Sequence, residues 1–247
     1  MTTHTELFGA LPGSRFTDDP VLLLPARTPL DGRLDAGRRE LAEDFEDLAD
    51  DRWLKGDHVF RKRRFGLFAA DTESRAIEPL EDRAFFQSTE LNPYAGGMHR
   101  KFEPLAARTR ANPYLAQLMW DVLAVLPGGR GRTWEVGVHL MRIVARPGLP
   151  GHPAPEGMHH DGHAFTSITL VGRADVSGGV SRFAGLDGRI HRELALERPG
   201  DTVVFEDPRC LHDVTPVEVA GDAALATRDV CGFSLNPVEP NPVEEDR

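Results

Sequence analysis

Residues 155–165 read PEGMHHDGHAF and gather His159, His160, Asp161 and His163 in a chain that has only ten histidines. Imidazoles and carboxylates bind transition metals. Two imidazoles and one carboxylate on one face of an iron ion leave three coordination positions open for other ligands. In extended chain, residues two apart project to the same side, so His159 and Asp161 make an H-x-D pair. His160 points the other way and has no carboxylate two residues on. The third ligand must arrive from a strand distant in sequence. His212, in DPRCLHDVTPV just past DTVVFE, suits that place; its competitor His191 alternates with Arg and Glu in IHRELAL and reads as exposed. Further on, TRDVCGFSLN carries Arg228, whose guanidinium is suited to bidentate pairing with a dicarboxylate. On a surface it would pair with Asp213 or Asp229 instead.

Other polar residues have open assignments. His163 continues the odd-numbered alternation, either into a pocket mouth or into solvent. His139 and Arg142 have opposite parity on one strand, so at most one faces a cavity; Arg142 is a candidate for a substrate carboxylate. Gln87 and Asn92 are candidates for polar contacts. A structural zinc site on His160-x-x-His163 lacks a C-x-x-C knuckle, because Cys210 and Cys231 are far apart. Both cysteines read as small buried strand residues.

These residues need a sheet to position them. From Trp134 the sequence breaks into WEVGVHLMRIVA, AFTSITLVGRA, GVSRFAG, IHRELAL, DTVVFE, LHDVTPVE and RDVCGFSLN, with turn signals such as SGG, LDGR, RPGD and EDPR between them. That pattern predicts an antiparallel sandwich or jelly roll. Upstream, Leu41, Phe45 and Leu48 predict a helix over 35–50, and aromatic and basic residues at 52–70 suggest a pair of short strands. A second helix starts at the Asn112 cap and Pro113, carries Leu115, Leu118, Met119, Val122, Leu123 and Leu126 as one apolar stripe, and stops at PGGRG. The expected fold is mainly β with flanking α-helices: a double-stranded β-helix (jelly roll, cupin-like) over 134–237, a mostly helical or irregular N-terminal part over 1–133, and a tail over 238–247. The helices need the sheet to cover their apolar faces, so 1–247 is expected to be a single catalytic domain.

The 247 residues, 40% hydrophobic and 28% charged, fit an ordinary globular protein. No membrane-spanning run or secretory signal is visible, and two cysteines make no disulfide framework, so the expected location is cytoplasmic. The net charge of −10 argues against a nucleic-acid partner, and the RKRR run at 61–64 reads as an exposed strand or loop. Neither a Gly-rich phosphate loop nor G-x-S-x-G occurs.

The H-x-D…H…R order on a jelly-roll pattern resembles the iron(II)- and 2-oxoglutarate-dependent dioxygenases. More narrowly, PEGMHHDG, SGGVSRF, PGDTVVFEDPRCLHDVTPV and TRDVCGFSLN, with FFQSTELNPYAGGMHRKFEPL upstream, are similar to the bacterial free-amino-acid hydroxylases, the group that includes L-isoleucine 4-hydroxylase. The likeness covers roughly residues 80–237. It implies that His159, Asp161 and His212 hold Fe(II) and that Arg228 grips the distal carboxylate of 2-oxoglutarate. It further implies that O2 and 2-oxoglutarate are consumed, with release of succinate and CO2, as an unactivated C–H bond of a small substrate is hydroxylated. Related halogenases carry a small residue where Asp161 stands, so the resemblance implies hydroxylation rather than chlorination; sulfoxidation and desaturation stay open. A cupin-like isomerase or lyase using the same triad, and a non-catalytic ligand-binding sandwich, are the alternatives.

Overall fold

The computed structural model describes residues 16, 19–55, 59–89, 94 and 96–238; Asn92, residues 1–15 and the acidic tail past Val238 lie outside them. The described residues form three helices. The one marked by the Asn112 cap starts where expected, and the one expected over 35–50 runs earlier, ending before a short strand at Ala49–Asp50. Asp31 accepts the Leu34 N–H ahead of α1 (Gly32–Glu43), which tightens into a 3₁₀ turn at Asp44–Asp47. After the short α2 (Ala107–Arg110), the Asn112 side chain accepts the N–H groups of Tyr114 and Leu115 at the start of α3 (Pro113–Leu123). No helix among the described residues is long and apolar enough to cross a membrane.

The strands up to the turn at 146–164 are β1 (Val21–Leu24), β2 (Ala49–Asp50), β3 (Arg61–Asp71), β4 (Ala76–Pro79), β5 (Phe85–Phe86), β6 (His99–Arg100) and β7 (Thr133–Ala145). Beyond it come β8 (Phe165–Ala174), β9 (Val176–Gly178), β10 (Ser181–Ala184), β11 (Ile190–Leu194), β12 (Thr202–Phe205), β13 (Leu211–Val214), β14 (Val217–Val219) and β15 (Ala226–Pro237). The major sheet is antiparallel, in the order β1-β12-β8-β15-β7-β3-β2, with β4 on β3; β11-β10-β13 form a smaller sheet, and β14-β9 and β5-β6 form ribbons. This is a jelly roll.

The N-terminal half is not mainly helical. Residues 61–71 are one continuous strand that pairs with β7 along its whole length, and β1 closes the other edge on β12. A basic run masked the strand pattern: the alternation of Arg61, Arg63, Phe65 and Leu67 is regular, but charged residues at inward positions do not read as a buried face.

The two sides of the major sheet have different tasks. Val136, Val138 and Leu140 of β7, with Phe233 and Leu235 of β15, pack against Leu41, Phe45, Leu115, Leu118, Met119 and Val122 of the helical layer. Burying each such side chain contributes about 1.5–3 kcal/mol. The opposite side faces a cavity, lined by β3, β7, β8 and β15 below and β13 above. Register aligns the cavity residues in rows. Arg61, Ile143 and Arg228 are neighbours across three strands, as are Arg63, Met141 and Val230, and then Phe65, His139 and Gly232.

Candidate metal centre

His159 and His212 face each other across an isolated antiparallel bridge. The His159 N–H donates to the His212 carbonyl at 3.1 Å, and the His212 N–H to the His159 carbonyl at 3.0 Å. Residues paired in this way share one side, so their rings lie 4.3 Å apart between centroids. Asp161 returns to that side. Its Oδ1 is 3.5 Å from His159 Nε2 and its Oδ2 is 3.5 Å from His212 Nε2. One ligand atom from each of the three lies within 4.8 Å of the other two. A metal ion bound at about 2.1 Å by nitrogen and oxygen fits that focus with small adjustments. The outer ring contacts also suit an ion: His159 Nδ1 donates to the Gly157 carbonyl at 2.8 Å, which leaves the Nε2 lone pair inward. The Thr166 hydroxyl donates to Asp161 Oδ2 at 3.1 Å.

The field at the focus favours a cation. Burial opposes charge on His159, yet the hydrogen bond and negative charge of Asp161, with Glu156 nearby, carry its pKa up to about 9. Burial likewise opposes ionisation of Asp161, but the His212 and His159 imidazoles hold its carboxyl well below the usual range. Burial pushes His212 down to about 4, against the pull of Asp161. A carboxylate flanked by imidazoles accepts a proton or a divalent metal at the same place.

Asp207 was not legible as a site residue. It is 1% exposed, and its carboxylate accepts the backbone N–H groups of Asp161, Gly162 and His163 at 2.8, 2.7 and 3.2 Å. His160, turned away from the triad, donates from Nδ1 to the Asp207 carbonyl at 2.7 Å. The loop bearing H-x-D is thus fastened to the turn that precedes His212.

Arg228 lies under the same cavity, 1% exposed, with Nε and Nη2 buried and unpartnered. The two carboxylates that would make it an ordinary salt bridge are taken. Asp229 pairs with Arg142 at 2.7 and 2.8 Å, and Asp213 with Arg182. Burial and the charge of Arg173 lower the Arg228 pKa to about 10, so it is a cation at neutral pH. Gly179, at φ +68°, makes the space for it: a Cβ there would stand 2.9 Å from Arg228 Cδ. An unpaired buried guanidinium in a glycine-backed slot fits one carboxylate of a dicarboxylic acid.

Three further arginines line the cavity: Arg61, Arg63 and Arg100. The RKRR run is therefore not an exposed segment; its odd members point inward and are 6% and 8% exposed. Arg61 is neutralised by Asp51 at 2.8 Å. Arg63 and Arg100 have no carboxylate within 4.0 Å among the described residues. Instead Arg63 lies 4.1 Å over the Phe102 ring and Arg100 lies 5.1 Å over Phe85. Arg63 Nη2 donates to Nδ1 of His139, and Arg100 Nη2 to Oε1 of Gln87. Burial, assisted by Arg63, keeps His139 well below its usual pKa, so its ring is a neutral acceptor. Cation–π contact returns about 0.5–2 kcal/mol, less than the several kcal/mol an ion loses on leaving water.

The remaining assignments resolve simply. His139 and Gln87 line the cavity, while Arg142 is held outside it by Asp229 and Glu46. His163 also lines the cavity, with Nδ1 against Asn236 at 3.0 Å and Nε2 unpartnered. His191 is exposed. Cys210 and Cys231 are free and buried, and burial raises both thiol pKa values.

A jelly roll whose cavity focuses two imidazoles and a carboxylate defines a mononuclear metal centre. The chain matches the family model described as 2OG-Fe dioxygenase over residues 42–234, and it belongs to that family. Membership brings the cofactor set Fe(II), 2-oxoglutarate and O2. Among solved structures, a bsmA homologue from Methylobium petroleophilum PM1 is 30% identical, with TM-score 0.69 over 82% of this chain and 84% of that one. IDO from Bacillus thuringiensis gives 0.71 at 19% identity over 90% and 92%. An Fe(II)/α-ketoglutarate-dependent dioxygenase, TqaL, gives 0.64 at 19% identity over 93% and 87%. The last two similarities speak for the fold alone. No curated protein sequence matches the chain.

Proposed function

We propose that this dioxygenase hydroxylates an unactivated C–H bond of a small substrate, a free L-amino acid or close derivative, with release of succinate and CO2. The observation that carries it is Arg228, a buried cation without a partner beneath the same cavity as the triad. A cupin-like isomerase or lyase has no use for such a cation. His159, Asp161 and His212 take the role of iron ligands, and Arg228 binds the distal carboxylate of 2-oxoglutarate. When bound, the iron, O2 and 2-oxoglutarate together supply the oxidation that inserts one oxygen atom into the substrate and the other into succinate. The chain's own residues orient the partners. Gly157 fixes the His159 tautomer, Thr166 restrains one Asp161 oxygen, and Asp207 holds the loop.

Residues 1–247 are proposed to act as a single catalytic domain, supported by the pairing of β3 with β7. A cytoplasmic location is supported by two free cysteines buried as thiols. The test is anaerobically purified protein supplied with Fe(II), 2-oxoglutarate, O2 and a panel of L-amino acids. Substrate-dependent succinate and an oxygenated product are expected. No stimulation by any amino acid, with activity on another small molecule, would overturn the substrate class; no succinate under any condition would overturn the chemistry.

A further inference from the structure

Given the amino-acid dioxygenase proposed above, the cavity contains more cationic charge than iron and 2-oxoglutarate use. Arg228 is assigned to the cosubstrate and Arg61 is neutralised by Asp51. Arg63 and Arg100 remain. Each has a buried Nε without a hydrogen-bond partner, and each is supported by an aromatic face rather than by an anion. Stacking holds a guanidinium by its plane and leaves its N–H edges for a ligand.

These two arginines form a site apart from Arg228. Arg63 and Val230 are neighbours of Met141 on either side, so β3 and β15 are separated by β7. Two strand spacings put their backbones about 10 Å apart on one face of the sheet. The site is also close to the metal focus. Gln87 accepts from Arg100 and donates from Nε2 to the Asp161 carbonyl at 3.0 Å, a single side chain bridging the two.

Glu156 completes the pattern. It lines the cavity, and its only cationic neighbour within 4.0 Å among the described residues is His159, whose Nε2 lies 3.4 Å away. Its carboxylate is not part of the three-residue group that converges on one focus. Glu156 is thus a carboxylate at the cavity wall, beside the three converging residues and outside their group.

We propose that Arg63 and Arg100 bind the carboxylate of the primary substrate and that Glu156 binds its ammonium group, so that these three residues select a free α-amino acid. Burial lowers the pKa of Arg63 to about 9 and also that of Arg100, with Asp161 acting in the opposite sense on both, yet each stays charged at neutral pH.

The test is anaerobic calorimetry of the protein loaded with Fe(II) and 2-oxoglutarate. The probes are a panel of L-amino acids, their methyl esters, and the matching carboxylic acids without the amino group. The expected result is tenfold or greater discrimination of acid over ester, lost in both Arg63→Gln and Arg100→Gln. Glu156→Gln should weaken the amino acid tenfold and leave the deamino acid unchanged. Affinity for 2-oxoglutarate, and iron content, should hold in all three variants and report that they fold. If acid and ester bind alike, or if the arginine variants lose 2-oxoglutarate instead, the site assignment falls while the amino-acid reading stands. If deamino acids bind through Arg63 and amino acids do not bind, the carboxylate site stands, and Glu156 and the amino-acid reading fall. If no probe binds, both fall.

Discussion

The carboxylate of Asp207 receives the N–H of Asp161 at 2.8 Å, across 46 residues of sequence. With the bonds from Gly162 and His163, one buried side chain replaces the hydrogen-bonded neighbours that a regular strand would give this loop. Asp207→Ala leaves these donors unpaired at about 1–3 kcal/mol each when they stay buried. The expected outcome is a fall in Fe(II) affinity of about 10–100-fold, the range seen when groups that orient metal ligands are removed. Anaerobic Fe(II) titration checks it; unchanged affinity in a folded variant would show that the loop holds its shape without the anchor.

Asp161→Ala removes the carboxylate shared by two imidazoles. Iron retention and succinate formation should both fall to the background of metal-free protein. In chloride buffer the unaltered enzyme should give an oxygenated product and no chlorinated one, read by mass spectrometry.

Gly179→Ala directs a methyl group to within 2.9 Å of the Arg228 side chain and strains a φ of +68°. Its expected signature is a KM for 2-oxoglutarate raised about tenfold or more with iron content intact. Arg228→Ala should raise it further. Equal KM values in all three proteins would remove the cosubstrate role from Arg228.

Asp51 and Arg61 form a buried pair, and breaking such a pair from one side costs about 3–5 kcal/mol. Burial opposes ionisation of Asp51, but Arg61 and Arg63 hold its pKa below the usual value. The native carboxyl therefore has a lower pKa than the unfolded one. Its stabilisation is fully present above about pH 4, the unfolded value, and disappears as pH falls through the native value. Asp51→Asn should be less stable at pH 7 and should lose less stability than the parent on going to pH 3, by urea unfolding at both.

The convergence of His159 and Asp161 was legible because H-x-D is local and because period-two projection is a property of any extended chain. The third histidine was legible by context, following an apolar strand and a turn. Asp207 was not, since an aspartate beside a proline reads as a turn former, and nothing local reveals that its acceptors are used 46 residues away. Arg63 escaped for the opposite reason. Its alternation with Phe65 was in plain view, but a basic run reads as solvated surface unless aromatic faces are known to cover it. The pair of short strands expected over 52–70 proved to be one long strand from Arg61 for the same reason.

Because β3 enters the sheet beside β7, the two proposed anion sites come from separate parts of the gene product: Arg63 and Arg100 precede β7, while the triad and Arg228 follow it. Recombination at the β6–β7 connection would exchange the two arginines and keep Glu156, the triad and Arg228 from the later half, so a library of chimeras crossed there would vary the proposed carboxylate site against fixed contacts for iron, 2-oxoglutarate and ammonium.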